Sequence, residues 1–213
     1  MELNRFRSAG GNFVPAPEGV HNAICVAVID IGTQESTYQG KVRLVPKIIL
    51  RWEIDEPMED GRRFIVQQRY TQSVHEKATL RHHLEAWRGR AFTDAELGPG
   101  GFSMAKLLGA GCQLQLIHEA GQDGTVYSNI AAVMKLGKGM KALTPEVEPF
   151  MLDLESAETF DRGVFEALSD RLKEVIARSP EFQALLSPAA VKLKGKADVA
   201  AAATADFDDE IPF

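Results

Sequence analysis

Apolar and polar residues alternate along much of the N-terminal part of the chain, and the alternation predicts β-strands. Residues 19–30 are apolar on both alternate faces, which is typical of a strand that is covered on both sides. A polar stretch from Gly32 to Gly40 predicts a turn. Residues 41–54 then alternate clearly, so a second strand is predicted with one buried face, formed by Val42, Leu44, Pro46, Ile48, Leu50, Trp52 and Ile54.

The elements that follow predict a third strand, a helix and two more strands. The third strand spans 62–71, and Ser73 with Glu76 has the spacing of a helix capping box. Apolar residues at helical spacing then predict a helix that ends at Gly89. A short helical segment is expected at 104–108, a fourth strand around 112–117 and a fifth over 125–135.

Three strands, a helix and two strands is the element order of the OB-fold, a five-stranded, partly open barrel that binds oligonucleotides or oligosaccharides. We therefore expect a mainly β fold: an OB-fold barrel with a helix between strands 3 and 4. The pattern alone does not distinguish this barrel from another five-stranded one. We expect Trp52, Phe64 and Trp87 to lie in its core.

The C-terminal third predicts a helical appendage and a disordered acidic tail. One amphipathic helix is expected over 161–178 and a short second helix over 181–186. Their apolar stripe must be covered, either by the barrel, which we prefer, or by a second copy, so monomer and homodimer both stay open. Residues 192–205 have the composition of a flexible linker.

The net charge of −6 is unevenly distributed along the chain. Residues 1–143 contain 17 Lys and Arg against 15 Asp and Glu, a net charge of +2, whereas residues 144–213 contain 7 against 15, a net charge of −8. Because a binding field depends on local charge, within about 10 Å at ordinary ionic strength, the total charge does not exclude a nucleic-acid ligand.

Composition also bears on location and on chemistry. We find no apolar run of the roughly 20 residues that cross a bilayer and no signal-peptide pattern, so we expect a cytoplasmic protein that does not contact a membrane. Cys25 and Cys112 lie in apolar stretches and are predicted to be buried thiols. The histidines have no zinc-site spacing, and Gly137–Lys141 lacks the spacing of a phosphate loop. No cofactor, metal or enzymatic activity is predicted.

The last eight residues have the properties of a peptide that docks on another protein. They combine four carboxylates with large apolar groups at a free end, and a proline that lowers the entropic cost of ordering: Asp206, Phe207, Asp208, Asp209, Glu210, Ile211, Pro212 and Phe213. A solvated acidic tail is the simpler alternative. The sequence Asp-Asp-Glu-Ile-Pro-Phe closely resembles the tip of bacterial single-stranded DNA-binding proteins.

The remainder of the chain resembles phage-type single-stranded DNA-binding proteins. The resemblance lies in residues 17–20, 70–73, 84–90 and 127–130. It implies an OB-fold domain at 1–143 that binds single-stranded DNA, a helical appendage at 144–190, and a linker with a recruiting tip at 191–213. Such a protein acts in DNA replication, recombination and repair, in the cytoplasm of a bacterial host if phage-encoded, and its tip recruits a helicase, nuclease, recombinase or polymerase subunit.

A sequence-tolerant binder of single strands needs cations for the phosphates and aromatic rings for the bases. The second and third strands carry cations at alternating positions, which is the pattern expected of a phosphate track, although each lone cation also fits a solvated strand face. Three tyrosines near strand ends are candidate platforms, and an asparagine is a candidate for a phosphate or base edge. The predicted DNA-binding residues are Lys41, Arg43, Lys47, Arg51, Arg63, Arg69, Tyr38, Tyr70, Tyr127 and Asn129.

Two other functions are compatible with the sequence. The barrel of a non-enzymatic adaptor would bind protein in place of DNA, with the tip as a second docking point. The acidic cluster at 53–60 has the residue types of a metal-dependent nuclease, but a turn containing Pro57 and Gly61 explains those carboxylates more simply.

Overall fold

The computed structural model describes residues 14–187, except 39 and 123. The described part contains six strands, five short α-helices and a 3-10 turn at Met104–Leu107. The strands are β1 Gly19–Tyr38, β2 Lys41–Pro57, β3 Arg63–Thr71, β4 Gly111–Ala120, β5 Val126–Lys135 and β6 Phe150–Leu152. The helices are α1 Thr79–Arg88, α2 Asp94–Leu97, α3 Arg162–Ala167, α4 Asp170–Ala177 and α5 Pro180–Leu186. None of the helices in the described ranges is both long enough and apolar enough to cross a membrane.

The strands form one sheet in the order β3-β2-β1-β4-β5, with antiparallel neighbours. β6 is parallel to β1 and pairs with its middle, where Ala27 lies opposite Phe150. The mainly β fold and the helix between the third and fourth strands are confirmed. The sheet is open: within the described residues, the strand pairing does not connect β3 to β5.

Apolar side chains fill both sides of the middle of this sheet. On the inner side, α1 packs its Leu80, Leu84 and Trp87 against Trp52 of β2, and the predicted core positions of the three large aromatic residues are confirmed. On the outer side, β6 and α3–α5 cover β1 and β2 around Ile49. The C-terminal helices therefore pack on the sheet, as preferred from the sequence.

β1 is much longer than predicted, and the turn expected between Gly32 and Gly40 is wrong. After an irregularity between Asp30 and Thr33, β1 continues to Tyr38, whose backbone pairs with Lys41. Gly32 has a φ of 67°, which lets the chain change register there without ending the strand. Residues 33–38 and 41–46 thus form a two-stranded projection, which we call the ribbon.

The ribbon changes the predicted burial of β2. Val42, Leu44 and Pro46, expected in the core, are exposed because the ribbon extends beyond the end of β3 and away from α1. Ile48, Leu50, Trp52 and Ile54, on the same face, are buried as predicted.

The helices also differ from the sequence-based prediction. α1 begins at Thr79, and its N-cap residue is Ala78, which has no capping side chain. The predicted capping box of Ser73 and Glu76 is therefore wrong; Ser73 Oγ accepts a hydrogen bond from the His75 amide. The predicted end of the helix at Gly89 is confirmed. The expected helix over 161–178 is two helices separated at Leu168 and Ser169, and the short helix that follows is confirmed as α5. The strand β6 was not predicted.

α5 is held to the base of the ribbon by two hydrogen bonds that one of its carboxylates accepts. Glu181 accepts from the Thr33 amide at 2.8 Å and from the Thr33 hydroxyl at 2.6 Å. A Cβ atom added to Gly32 would lie 2.5 Å from Ser179 Cβ, so the close approach of α5 requires glycine at this position.

Candidate nucleic-acid interface

The strand pairing places predicted cations of β2 and β3 on one face of the sheet, the face turned away from α1. We call it the outer face. Lys47 lies opposite Thr71, Ile49 opposite Arg69, and Arg51 opposite Gln67. Because directly paired residues of an antiparallel sheet share a face, the third strand contributes to the same surface as the second. The predicted neighbour relation of these two strands is confirmed.

We call four of the six predicted cations the cationic strip: Lys41, Arg43, Lys47 and Arg69, which lie on the outer face of β2 and β3. Lys41 and Arg69 are exposed, whereas Arg43 and Lys47 are half-buried. Lys47 Nζ donates to Thr71 Oγ1 at 2.8 Å, so this ammonium group is held against the end of β3. The strip follows β2 from the tip of the ribbon to the middle of the sheet and then crosses to β3.

Arg51 is not a surface cation, although it is on the same face. It is 9% exposed, and its Nε donates to Gln67 Oε1 at 2.9 Å. Burial lowers the pKa of its guanidinium to about 10, so the group keeps its charge at neutral pH. Arg51, a predicted phosphate contact, therefore lies below the surface of β2, and we do not include it in the strip.

Arg63, the first residue of β3, takes part in a network of hydrogen bonds and ion pairs. Its Nη1 donates to Glu53 Oε1 at 2.8 Å and to the Thr144 carbonyl at 3.0 Å, and its Nε lies 3.3 Å from Glu146 Oε1. Glu53, which is 1% exposed, also accepts from the backbone amides of Glu146 and Val147. These contacts fasten the segment that follows β5 to the sheet.

Tyr70 lies in the inner core, and the expectation that one side of its ring stays open is wrong. The residue is 2% exposed, and its hydroxyl forms a hydrogen bond with His83 Nδ1 at 2.8 Å. Burial raises the pKa of this hydroxyl and lowers the pKa of the His83 imidazole. In this conformation the ring is not accessible to a base.

The other predicted contacts are spread along the sheet. Tyr127 is 42% exposed and pairs with Glu119 at the far end of β5. Asn129 pairs with Ile117 and donates its amide to the carboxylate of Glu119. The backbone of Tyr38 pairs with Lys41 at the ribbon tip. The backbone of Tyr38 thus lies at the start of the strip, whereas Tyr127 and Asn129 lie on β5 at the other side of the sheet. The tip residues 206–213 lie outside the described residues.

Sequence reasoning missed the polar partners of Lys47 and Arg51 and the exposure of Val42 and Leu44 on the ribbon. Thr71 and Gln67 are recognisable only once the register of β2 and β3 is known, because neither has a distinctive local pattern. The ribbon half from Thr33 to Tyr38 alternates among polar residues only, so it lacks the apolar contrast that marks a strand.

A separate cavity of about 430 Å³ lies beside α1. Its apolar wall includes Leu80, Leu84, Phe92 and Phe102, and the glycine-rich loop at 98–101 forms another side. None of the predicted DNA-binding residues lines it.

The two cysteines are buried, as predicted, and are not paired with each other. Burial raises the pKa of the Cys25 thiol to about 12 and that of Cys112 in the same direction, which keeps both protonated and unreactive at neutral pH. Among the residues that the structure describes, His, Cys, Asp and Glu side chains form no group of three suited to a metal ion.

No protein-family model matches this chain, and no curated protein matches it either. The geometry of the outer face and the sequence of the tip are therefore the features that bear on function.

Proposed function

We propose that this protein binds single-stranded DNA without sequence specificity, through the outer face of β2 and β3. The observation that carries the proposal is the cationic strip, in which Lys41, Arg43, Lys47 and Arg69 lie along one continuous path. Cations spaced along a strand suit a regular array of phosphates, and their binding releases counterions from the DNA.

The topology supports the same proposal. The order β3-β2-β1-β4-β5, with α1 between β3 and β4, is the order of an OB-fold barrel opened between its third and fifth strands. We propose that the sheet is such a barrel, since OB-folds are partly open and use the face of strands two and three to bind oligonucleotides. The ribbon then corresponds to a long connection between the first two strands.

The binding chemistry proposed here is electrostatic and does not involve a reaction. The strip neutralises phosphates, and the exposed ring of Tyr127 is the remaining described tyrosine that can stack on a base at the far end of the outer face. Coating exposed strands in this way protects them during replication, recombination or repair. The proposal requires neither a cofactor nor a metal.

The acidic tip at residues 206–213 is proposed to recruit a protein partner. Its apolar end suits a pocket, and its carboxylates suit a basic rim on a helicase, nuclease, recombinase or polymerase subunit. Because the tip and the DNA-binding sheet belong to one chain, a partner bound to the tip has a high effective concentration at the DNA.

Titration of the full chain with labelled oligo(dT), and with a duplex of equal length, tests the proposal. We expect binding to the single strand only, weakening as salt increases. Removal of residues 206–213 is expected to leave this affinity unchanged or to strengthen it, because the removed residues carry negative charge. Absence of binding with and without the tip would contradict DNA binding and favour the adaptor function. Loss of binding only on tip removal would contradict the division between sheet and tip.

A further inference from the structure

The two most exposed large apolar side chains of the described residues lie together on the ribbon. Val42 is 63% exposed and Leu44 is 66% exposed, and they are two positions apart on β2. Side chains two apart in a strand share a face, so they form one aliphatic surface. A projecting pair of this kind is a candidate contact surface for a ligand.

The aliphatic pair and the cations occupy opposite faces of the same stretch of β2. Val42 pairs with Thr37 and Leu44 with Glu35, whereas Lys41 and Arg43 alternate with them and face the other way. The ladder of β2 with β3 ends at the pair of Lys47 and Thr71. The edge of β2 along residues 41–45 thus borders no other strand in the part that the structure describes.

The character of this edge favours a nucleic-acid strand over a second copy of the chain. Charged side chains, lysine above all, discourage an edge strand from pairing with another strand, and the β2 edge has Lys41 and Arg43. The same cations are complementary to phosphate. The C-terminal helices do not compete for the aliphatic pair, because they cover the opposite, outer side of the sheet near Ile49.

We infer that Val42 and Leu44 contact the bases of bound single-stranded DNA. The inference rests on the proposed function. It provides a contact surface for the bases, which the buried Tyr70 does not offer. A strand that runs along the edge of β2 places its phosphates toward Lys41 and Arg43. Its bases, on the other side of each sugar, then lie on the aliphatic pair. Aliphatic groups contact the thymine methyl particularly well, so the surface favours thymine over uracil.

The double variant V42A/L44A tests this inference against the matched variant V20A/V74A, which removes two other exposed valines. We expect V42A/L44A to bind oligo(dT) about tenfold more weakly, because the two shortened side chains lose methyl contacts with the bases. The slope of log affinity against log salt should not change, since no charge is removed. The wild type should prefer oligo(dT) to oligo(dU) by about threefold, and V42A/L44A should lose that preference. V20A/V74A should bind like the wild type.

Three results would overturn the inference. If the wild type and V42A/L44A bind oligo(dT) with equal affinity, Val42 and Leu44 do not contact the bases, and the proposed function is unaffected. No binding by the wild type would overturn both together. The wild type could also sediment as a dimer and V42A/L44A as a monomer with unchanged DNA affinity. That result would show that the aliphatic pair contacts a second copy of the chain and not DNA. Thermal unfolding of each variant checks that the fold is retained.

Discussion

At the level of single residues, Lys41 and Arg69 reach solvent, whereas Arg51 and Tyr70 do not. Alternation along a strand gives the face on which a side chain lies, but not how deeply that face is covered by elements distant in sequence. Arg51 is on the predicted face and is buried beside Gln67. The strand positions of the candidate site could thus be predicted from the sequence. Which of its residues are accessible could be known only from the tertiary packing.

Replacing Tyr70 by phenylalanine tests the assignment of this residue to the core. The Y70F variant loses the hydrogen bond to His83, so we expect the free energy of unfolding in urea to fall by about 1 kcal/mol. The affinity for oligo(dT) should be unchanged. Y127F is the matched control, because it removes the hydroxyl of a tyrosine that is 42% exposed and lies outside the core. A loss of DNA affinity in Y70F at unchanged stability would show that this side chain reaches the ligand.

At the level of elements, the strands of the inner core were predictable and the ribbon was not. Residues 19–30 are apolar on both faces, and the structure covers both, with α1 on one side and α3–α5 on the other. The extension of β1 beyond Gly32 depends on pairing with residues 41–46 of β2 and on contacts with α5. The contact with α5 joins residues 148 positions apart, and residues 33–38 are all polar, so neither interaction leaves an apolar periodicity in the sequence.

Alanine at Gly32 tests whether the close approach of α5 stabilises the fold. Gly61 is the matched control, because it also has a positive φ but nothing lies within 4 Å of an added Cβ atom. We expect G61A to lower the free energy of unfolding by about 1 kcal/mol, the cost of the left-handed backbone alone. G32A should cost about 3 kcal/mol, since it adds a clash with Ser179. Equal losses in the two variants would contradict this role of α5.

At the level of the whole molecule, the sheet is covered in its middle and open at two places on the outer side. The C-terminal helices cover β1 and β2 around Ile49, while the ribbon and the surface of β3 near Arg69 stay exposed. The strip joins these two exposed places along β2. The division of charge, with a net +2 in residues 1–143 and −8 in residues 144–213, leaves the sheet mildly basic. This arrangement favours a polyanion as the ligand of the outer face.

The salt dependence of the variant K41A/R69A tests the central claim most directly. For a single strand, each phosphate contact contributes about 0.7 to the slope of log affinity against log salt. Loss of two contacts should therefore make the slope for oligo(dT) less steep by about 1.4, together with weaker binding. The variant K106A/K138A removes two exposed cations away from the strip and should keep the wild-type slope. Identical slopes for the wild type and K41A/R69A would contradict binding of DNA by the cationic strip.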